Sequence, residues 1–289
     1  MSRADLVVPR VEGSVYRWTF GETTFEMDAA CGARVTRFCL GAENILTGRD
    51  VNPLNFGATF WTSPQSHWGW PPPVEHDSEP YLARPLGDDG ATVLFSGRPD
   101  ATLGIAATKS VTVDGARALV TIEYGLRNQS GKVVPVAPWE ISRHPTHGLT
   151  FFPDGDGIEP TSTLAVTQAG GVVWFSYDAA AITDHQKLFA HGTEGWICHV
   201  DVARRLLLLK TFPEVARANQ APGEATIEIY ADPHHTYVEV EEQGAHRPLH
   251  PGEHVTWQVT WALRSVPASV PIRVDGAELL AFARALSSA

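Results

Sequence analysis

Residues Thr236 to Leu263 read TYVEVEEQGAHRPLHPGEHVTWQVTWAL. Side chains alternate between the two faces of a β-strand, so Tyr237, Glu239 and Glu241 share one face and Val238 and Val240 the other. Pro251-Gly252-Glu253 marks a turn, and the pattern resumes with Val255, Trp257, Val259 and Trp261 against Thr256, Gln258, Thr260 and Ala262. The stretch therefore predicts two paired strands, a hairpin with His246 and His250 in its turn. Two acids and a tyrosine on one strand face make a poor core. They suit a site that handles hydroxyl groups.

The same reading extends along the chain. Strands are predicted over 15–20, 23–28, 33–40, 91–96, 104–113, 118–127, 171–177, 196–202, 206–212 and 225–231. Turn pairs such as Asp89-Gly90, Asp114-Gly115, Ser130-Gly131 and Pro222-Gly223 punctuate them. So many short strands imply an all-β sandwich or barrel and not alternating βα units. One helix is expected over 277–286, where Leu279, Leu280, Phe282, Ala283 and Leu286 form an apolar stripe; it should cover a sheet edge. With no linker-like segment, residues 1–289 are expected to form a single domain, its core over about 14–265 and a helical tail over 266–289.

The chain has 33 Asp and Glu against 22 Lys and Arg, a net charge of -11, and no basic stripe. That argues against nucleic acid and anionic membranes as partners. No apolar run approaches the roughly 20 residues that span a bilayer, and the N-terminal MSRADLVVPRVEG lacks the apolar core of a signal peptide. Cys31, Cys39 and Cys198 are odd in number and match no metal spacing, which predicts buried thiols in a reducing compartment. A cytoplasmic protein, monomer or homodimer, is the expectation.

Three further stretches carry polar chemistry. Residues 55–73, NFGATFWTSPQSHWGWPPP, crowd Phe56, Phe60, Trp61, Trp68 and Trp70 around Gln65 and His67. Flat aromatic faces stack on the C–H faces of pyranose rings, and stiff prolines hold such a loop at low entropic cost. A core strand followed by a packed loop reads equally well. Residues 139–153, WEISRHPTHGLTFFP, alternate Glu140, Ser142 and His144 against Trp139, Ile141 and Arg143. His144, at a strand end before Pro145, would suit proton transfer near neutrality, and a capping or surface histidine is its plainer reading. Asp154, Asp156 and Glu159 miss the calcium-loop spacing and read as an Asp-Gly turn.

These pieces, in this order, resemble the galactose mutarotase-like superfamily: aldose 1-epimerases, glucose-6-phosphate 1-epimerase-like proteins and their uncharacterised relatives. Gly57–Gln65, GATFWTSPQ, resembles the strand and loop that open the sugar cleft in the hexose-phosphate branch. Asn128–His144 is similar to the segment leading to a strand that ends in the catalytic histidine. Tyr237–Glu253 resembles the strand bearing the catalytic glutamate and its Leu-x-Pro-Gly-Glu turn. Together they span about Phe20 to Leu263.

The resemblance implies a β-supersandwich of about 15–20 strands with a short C-terminal helix and a sugar cleft on one concave sheet. It implies an aldose 1-epimerase in which a carboxylate takes the anomeric hydroxyl proton while an imidazolium protonates the ring oxygen, with no cofactor and no metal. The glutamate maps onto Glu241, with Glu239 as alternative, and the acid onto His144; the two should face each other across the cleft. Trp61, Gln65, His67, Trp68, Trp70, Trp139, Glu140 and Tyr237 are the implied sugar contacts, with His76 and Arg84 in the right region but outside any matching motif. After His144, Pro145-Thr146-His147-Gly148 departs from the family's aromatic-rich continuation. Two other readings remain open: a non-catalytic sugar-binding protein, and a lyase or hydrolase in the same cleft.

Overall fold

A computed structural model describes residues 5–288, the side chain of Asp156 excepted. The strands are β1 Arg10–Glu12, β2 Val15–Phe20, β3 Thr23–Asp28, β4 Arg34–Leu40, β5 Glu43–Asn44, β6 Ala58–Ser63 and β7 Leu82–Leu86. Next come β8 Thr92–Pro99, β9 Ile105–Asp114, β10 Leu119–Asn128, β11 Val134–His144, β12 Gly148–Ile158, β13 Thr167–Ala169 and β14 Val172–Ser176. The last are β15 Gln186–Gly192, β16 Trp196–Asp201, β17 Leu206–Thr211, β18 Ile227–Ala231, β19 Val238–Gln243, β20 Arg247–Leu249 and β21 His254–Ser265. A single helical turn, α1, covers Val74–Asp77, and α2 covers Ala277–Ser287.

All pairings are antiparallel, and the strands form one continuous hydrogen-bonded network. It folds into two layers. The front layer runs β1-β2-β3-β4-β6-β11-β19-β18-β15. The back layer runs β7-β8-β9-β10-β21-β17-β16, with β14 and β13 beyond. β12 joins them, its first half pairing β16 and β14 and its second half pairing β15.

The predicted hairpin of residues 236–263 does not form. β19 pairs β11 and β18 in the front layer, whereas β21 pairs β10 and β17 in the back layer. The connection is therefore a crossing between layers, with β20 pairing the start of β11 on the way. The alternation on each strand is as the sequence indicates, since it depends only on the pleat. Pairing partners are not encoded in that alternation.

Aromatic residues fill the space between the layers. Phe25 on β3 meets Trp261 on β21 edge-on with centroids 6.2 Å apart, and Phe60 on β6 stacks on Tyr124 of β10 at 4.4 Å. Burying each such ring stabilises the sandwich by about 1.5–3 kcal/mol. At the start of β6, Gly57 has φ +61°, and a Cβ there would lie 2.1 Å from the Val35 carbonyl oxygen. Only glycine lets β6 approach β4 so closely.

The helix lies over a face and not over an edge. Leu206 and Leu208 point inward, which leaves Leu207 and Leu209 apolar on the outside of the back layer. Leu279 and Ala283 of α2 pack on that outer surface with Trp174, Trp196 and Val266. Among the described residues, no helix is long and apolar enough to cross a membrane. All three cysteines are free thiols; Cys39 and Cys198 are buried and Cys31 half-buried.

Candidate functional site

Parity decides which side chains reach the outer face of the front layer. Trp139 stands opposite Trp61 and Gln243, Ile141 opposite Thr59 and Glu241, and Arg143 opposite Glu239. On the other flank, Glu241 stands opposite Glu228, Glu239 opposite Tyr230, and Tyr230 opposite Lys187. Directly paired residues share a face. These side chains therefore form successive rows across one surface, and the surface is hollowed into a cleft of about 600 Å³. Its walls include Trp61, Gln65, Trp70 and Trp139 at one end, and Asn55, His185, Asp232, His234 and Tyr237 at the other. Lys187, Glu239 and Glu241 lie between.

Glu241 is almost fully buried at the cleft floor. Its Oε2 accepts hydrogen bonds from Trp139 Nε1 at 2.9 Å and Lys187 Nζ at 3.0 Å. Its Oε1 is buried and has no hydrogen-bond partner among the described residues. Lys187 also pairs Glu228 at 2.6 Å and lies 4.9 Å from the Trp139 ring centroid. Burial alone would lower the Lys187 ammonium, but the Glu228 and Glu241 carboxylates outweigh it and hold it above the ordinary lysine range.

Glu239, two residues earlier on the same face, has a different environment. Burial pushes its carboxyl up to about 7, and the neighbouring Glu241 charge adds to this, against the opposing pull of Arg143. Arg143 Nε donates to Glu239 Oε1 at 2.8 Å, and Arg143 Nη1 donates to Thr59 Oγ1 at 3.1 Å. Tyr230 and Tyr237 are held above the ordinary phenol range by burial and by the Glu239 charge. Asn55 Nδ2 donates to the Tyr237 hydroxyl at 3.0 Å.

His144 does not reach this cleft. It belongs to the other parity of β11, with Glu140 and Ser142, and points between the layers. Its Nε2 meets Ser142 Oγ at 2.9 Å, its Nδ1 meets the Ile45 carbonyl at 3.0 Å, and its ring stacks on His199 at 4.2 Å. Burial, reinforced by His199 and Lys210, keeps it far below the ordinary imidazole range, so it is neutral. Glu140 is likewise internal, bound with Glu242 to Lys210 Nζ at 2.7 Å each. The expected face-to-face pair of Glu241 and His144 is therefore absent, because an odd offset along the register turns the imidazole inward.

Of the other sequence-derived candidates, Trp61, Gln65, Trp70, Trp139, Tyr237, Glu239 and Glu241 line the cleft together. Trp68 packs behind it, edge-on to Trp61 and donating to the Thr62 carbonyl at 2.8 Å. His67 lies half-buried in the one-turn helix of residues Gln65–His67 and does not line the cleft. His76 is fully buried, its Nε2 on the Ile105 carbonyl at 2.9 Å. Arg84 is exposed on β7 of the back layer. Sequence reasoning missed Asn52, Asn55, His185, Lys187, Tyr230, Asp232 and His234. Tyr230 shares a face with Glu228 in a predicted strand and was open to the same parity argument; β15, which carries Lys187, has too weak an alternation to be seen. Among the described residues, no group of three or more His, Cys, Asp or Glu is arranged to hold a metal ion.

The sequence matches no family model and no curated protein. Solved structures do match. A galactose mutarotase-like protein from Clostridium acetobutylicum is 11% identical, with TM-score 0.58, over 91% of this chain and 100% of that one. The fold is galactose mutarotase-like. A galactose mutarotase-like protein from Lactobacillus casei ATCC 334 is 12% identical, with TM-score 0.59, over 86% of this chain and 100% of the other. The galactose 1-epimerase of Lactobacillus acidophilus NCFM is 12% identical, with TM-score 0.56, covering 91% and 98% of the two chains. At such identities the likeness establishes the mutarotase-like scaffold and leaves the chemistry to the side chains.

Proposed function

We propose that the cleft binds a sugar and interconverts its anomers by acid–base ring opening, as an aldose 1-epimerase does. The observation that carries this reading is a pair of carboxyls on one strand face whose surroundings differ. Glu241 is tied to Lys187 and Trp139 with one oxygen unfilled, while burial holds the Glu239 carboxyl up to about 7. A carboxyl raised by burial beside a carboxylate held by a lysine and an indole N–H suits acid and base roles. The mutarotase-like scaffold and the tryptophan wall are consistent with a pyranose ligand.

In this account the Glu241 carboxylate takes the proton of the anomeric hydroxyl while the protonated Glu239 gives its proton to the ring oxygen. The electron pair of the O1–H bond becomes the second C1–O1 bond as C1–O5 breaks. Rotation about C1–C2 in the open aldehyde presents the other carbonyl face. O5 then attacks C1, Glu239 recovers its proton, Glu241 returns the other to O1, and both carboxyls are reset. Each positioned proton transfer contributes about 10²–10⁴-fold. Lys187 and Arg143 are positioning residues, acting through the carboxylates they hold.

A second reading, sugar binding without turnover, is favoured by one observation: the imidazole expected as proton donor is sealed between the layers. Polarimetry separates the two. Freshly dissolved α-glucose, galactose and other common aldoses should equilibrate faster with wild-type protein than in buffer. Binding with no acceleration for any of them supports the second reading.

A further inference from the structure

We infer that the cleft takes a neutral saccharide of at least two linked rings, its reducing ring at Glu239 and Glu241 and the next ring against Trp70. This rests on the sugar-binding reading above and specifies the ligand class. The first observation is length. Counting along β19, the cleft walls occupy four rows: those of Gln243 with Trp61 and Trp139, of Glu241, of Glu239 with Tyr230 and Lys187, and of Tyr237. Rows on one face are two residues apart, so three steps of about 6.6 Å give a floor roughly 20 Å long. One pyranose is about as wide as a single step and leaves much of that floor uncovered. The cleft volume, about 600 Å³, agrees: it is in the range of sites that enclose ligands with well over a monosaccharide's dozen heavy atoms.

The second observation is Trp70. Its side chain lines the cleft yet is 63% exposed, the most exposed of the tryptophans and tyrosines at the site. Its ring stands edge-on to Trp61, with centroids 6.2 Å apart and planes at 75°. Trp61 in turn stands edge-on to Trp139, whose indole N–H holds Glu241. The chain leaving Trp70 is Pro71-Pro72-Pro73, whose fixed backbone angles present the indole at little entropic cost. An indole held open to solvent next to a filled aromatic wall is a stacking platform for a second ring. Trp61, Gln65, Trp70 and Trp139 carry no charge, so the ring that lies there is neutral.

The test is calorimetric titration of the full-length protein with glucose and with maltose, cellobiose and lactose, which share glucose as reducing ring. At least one disaccharide should bind about tenfold more tightly than glucose. Trp70→Ala should remove most of that advantage and Trp70→Phe should restore part of it, with circular dichroism spectra unchanged. If glucose binds and no disaccharide binds more tightly, or if Trp70→Ala weakens both classes equally, the second-ring subsite is wrong and the sugar cleft stands. If none of the four sugars binds, the inference and the reading beneath it both fall.

Discussion

Glu241 and His144 project from opposite faces of the same sheet. Glu241 stands opposite Ile141 across the β11–β19 pairing, and His144 is three residues further along β11. The imidazole packs between the layers and does not reach the cleft. His144→Asn should lower stability by about 1–3 kcal/mol, through lost stacking on His199 and buried hydrogen bonds. Its anomer-exchange rate per folded molecule should fall less than about tenfold. Urea unfolding and an exchange assay on the same sample check both; a loss of several orders of magnitude in exchange with normal stability would return His144 to the mechanism.

Glu239 must be protonated to donate. Because burial holds its carboxyl up to about 7, kcat/KM should fall as pH rises through that value. Arg143 is the opposing influence, stabilising the charged form. Arg143→Gln should therefore move the alkaline limb upward by about one pH unit or more. A limb that stays in place in this variant would show that another group is being titrated.

Two carboxylates, Asp232 and Glu241, line the cleft beside the Glu239 carboxyl and one lysine, and that lysine is already paired twice. Among the described residues that line the cleft, Lys187 is the one Lys or Arg, and its partners are already Glu228 and Glu241. Hexose 6-phosphates and uronic acids should bind at least about tenfold more weakly than the parent hexose, and the penalty should shrink as salt is added. Titrations at low and high ionic strength test this.

His199 is buried beneath Gly148 and stacked on His144, and burial lowers its pKa from 6.5 to about 3. The unfolded chain binds this proton below about pH 6.5 while the folded chain does not, so folding is favoured fully above that pH and loses ground as pH falls toward 3. The loss is up to about 1.4 kcal/mol per pH unit from this one residue. His199→Phe should flatten the difference in urea midpoint between pH 7 and pH 5. An unchanged pH dependence would mean that His199 is not kept neutral.

Much of the architecture was legible because alternation and turn chemistry are local. The strands at residues 15–20 and 23–28 were read to the residue, and the helix at 277–286 ends one residue later in the structure. The shared face of Tyr237, Glu239 and Glu241 was equally visible. What was hidden depends on partners distant in sequence. Nothing local says that β19 leaves β21 for β11, or that Lys187, from a strand of weak alternation, closes on Glu241. His144 shows the cost of reading a motif without its register: its place at the strand end suited an acid, but its parity with Glu140 and Ser142 already set it opposite Trp139 and Arg143.

The central claim is that Glu239 and Glu241 together drive anomer exchange. Magnetisation transfer between the α and β anomeric protons of a bound aldose measures that step itself, without a coupled assay. The account predicts exchange that rises in proportion to wild-type protein. It predicts a return to the buffer rate in Glu241→Gln, and in Glu239→Gln a loss of at least about 10²-fold with sugar still bound. Wild-type exchange that survives in Glu241→Gln, or an aldose that binds wild-type protein in the cleft with no exchange above buffer, would contradict it.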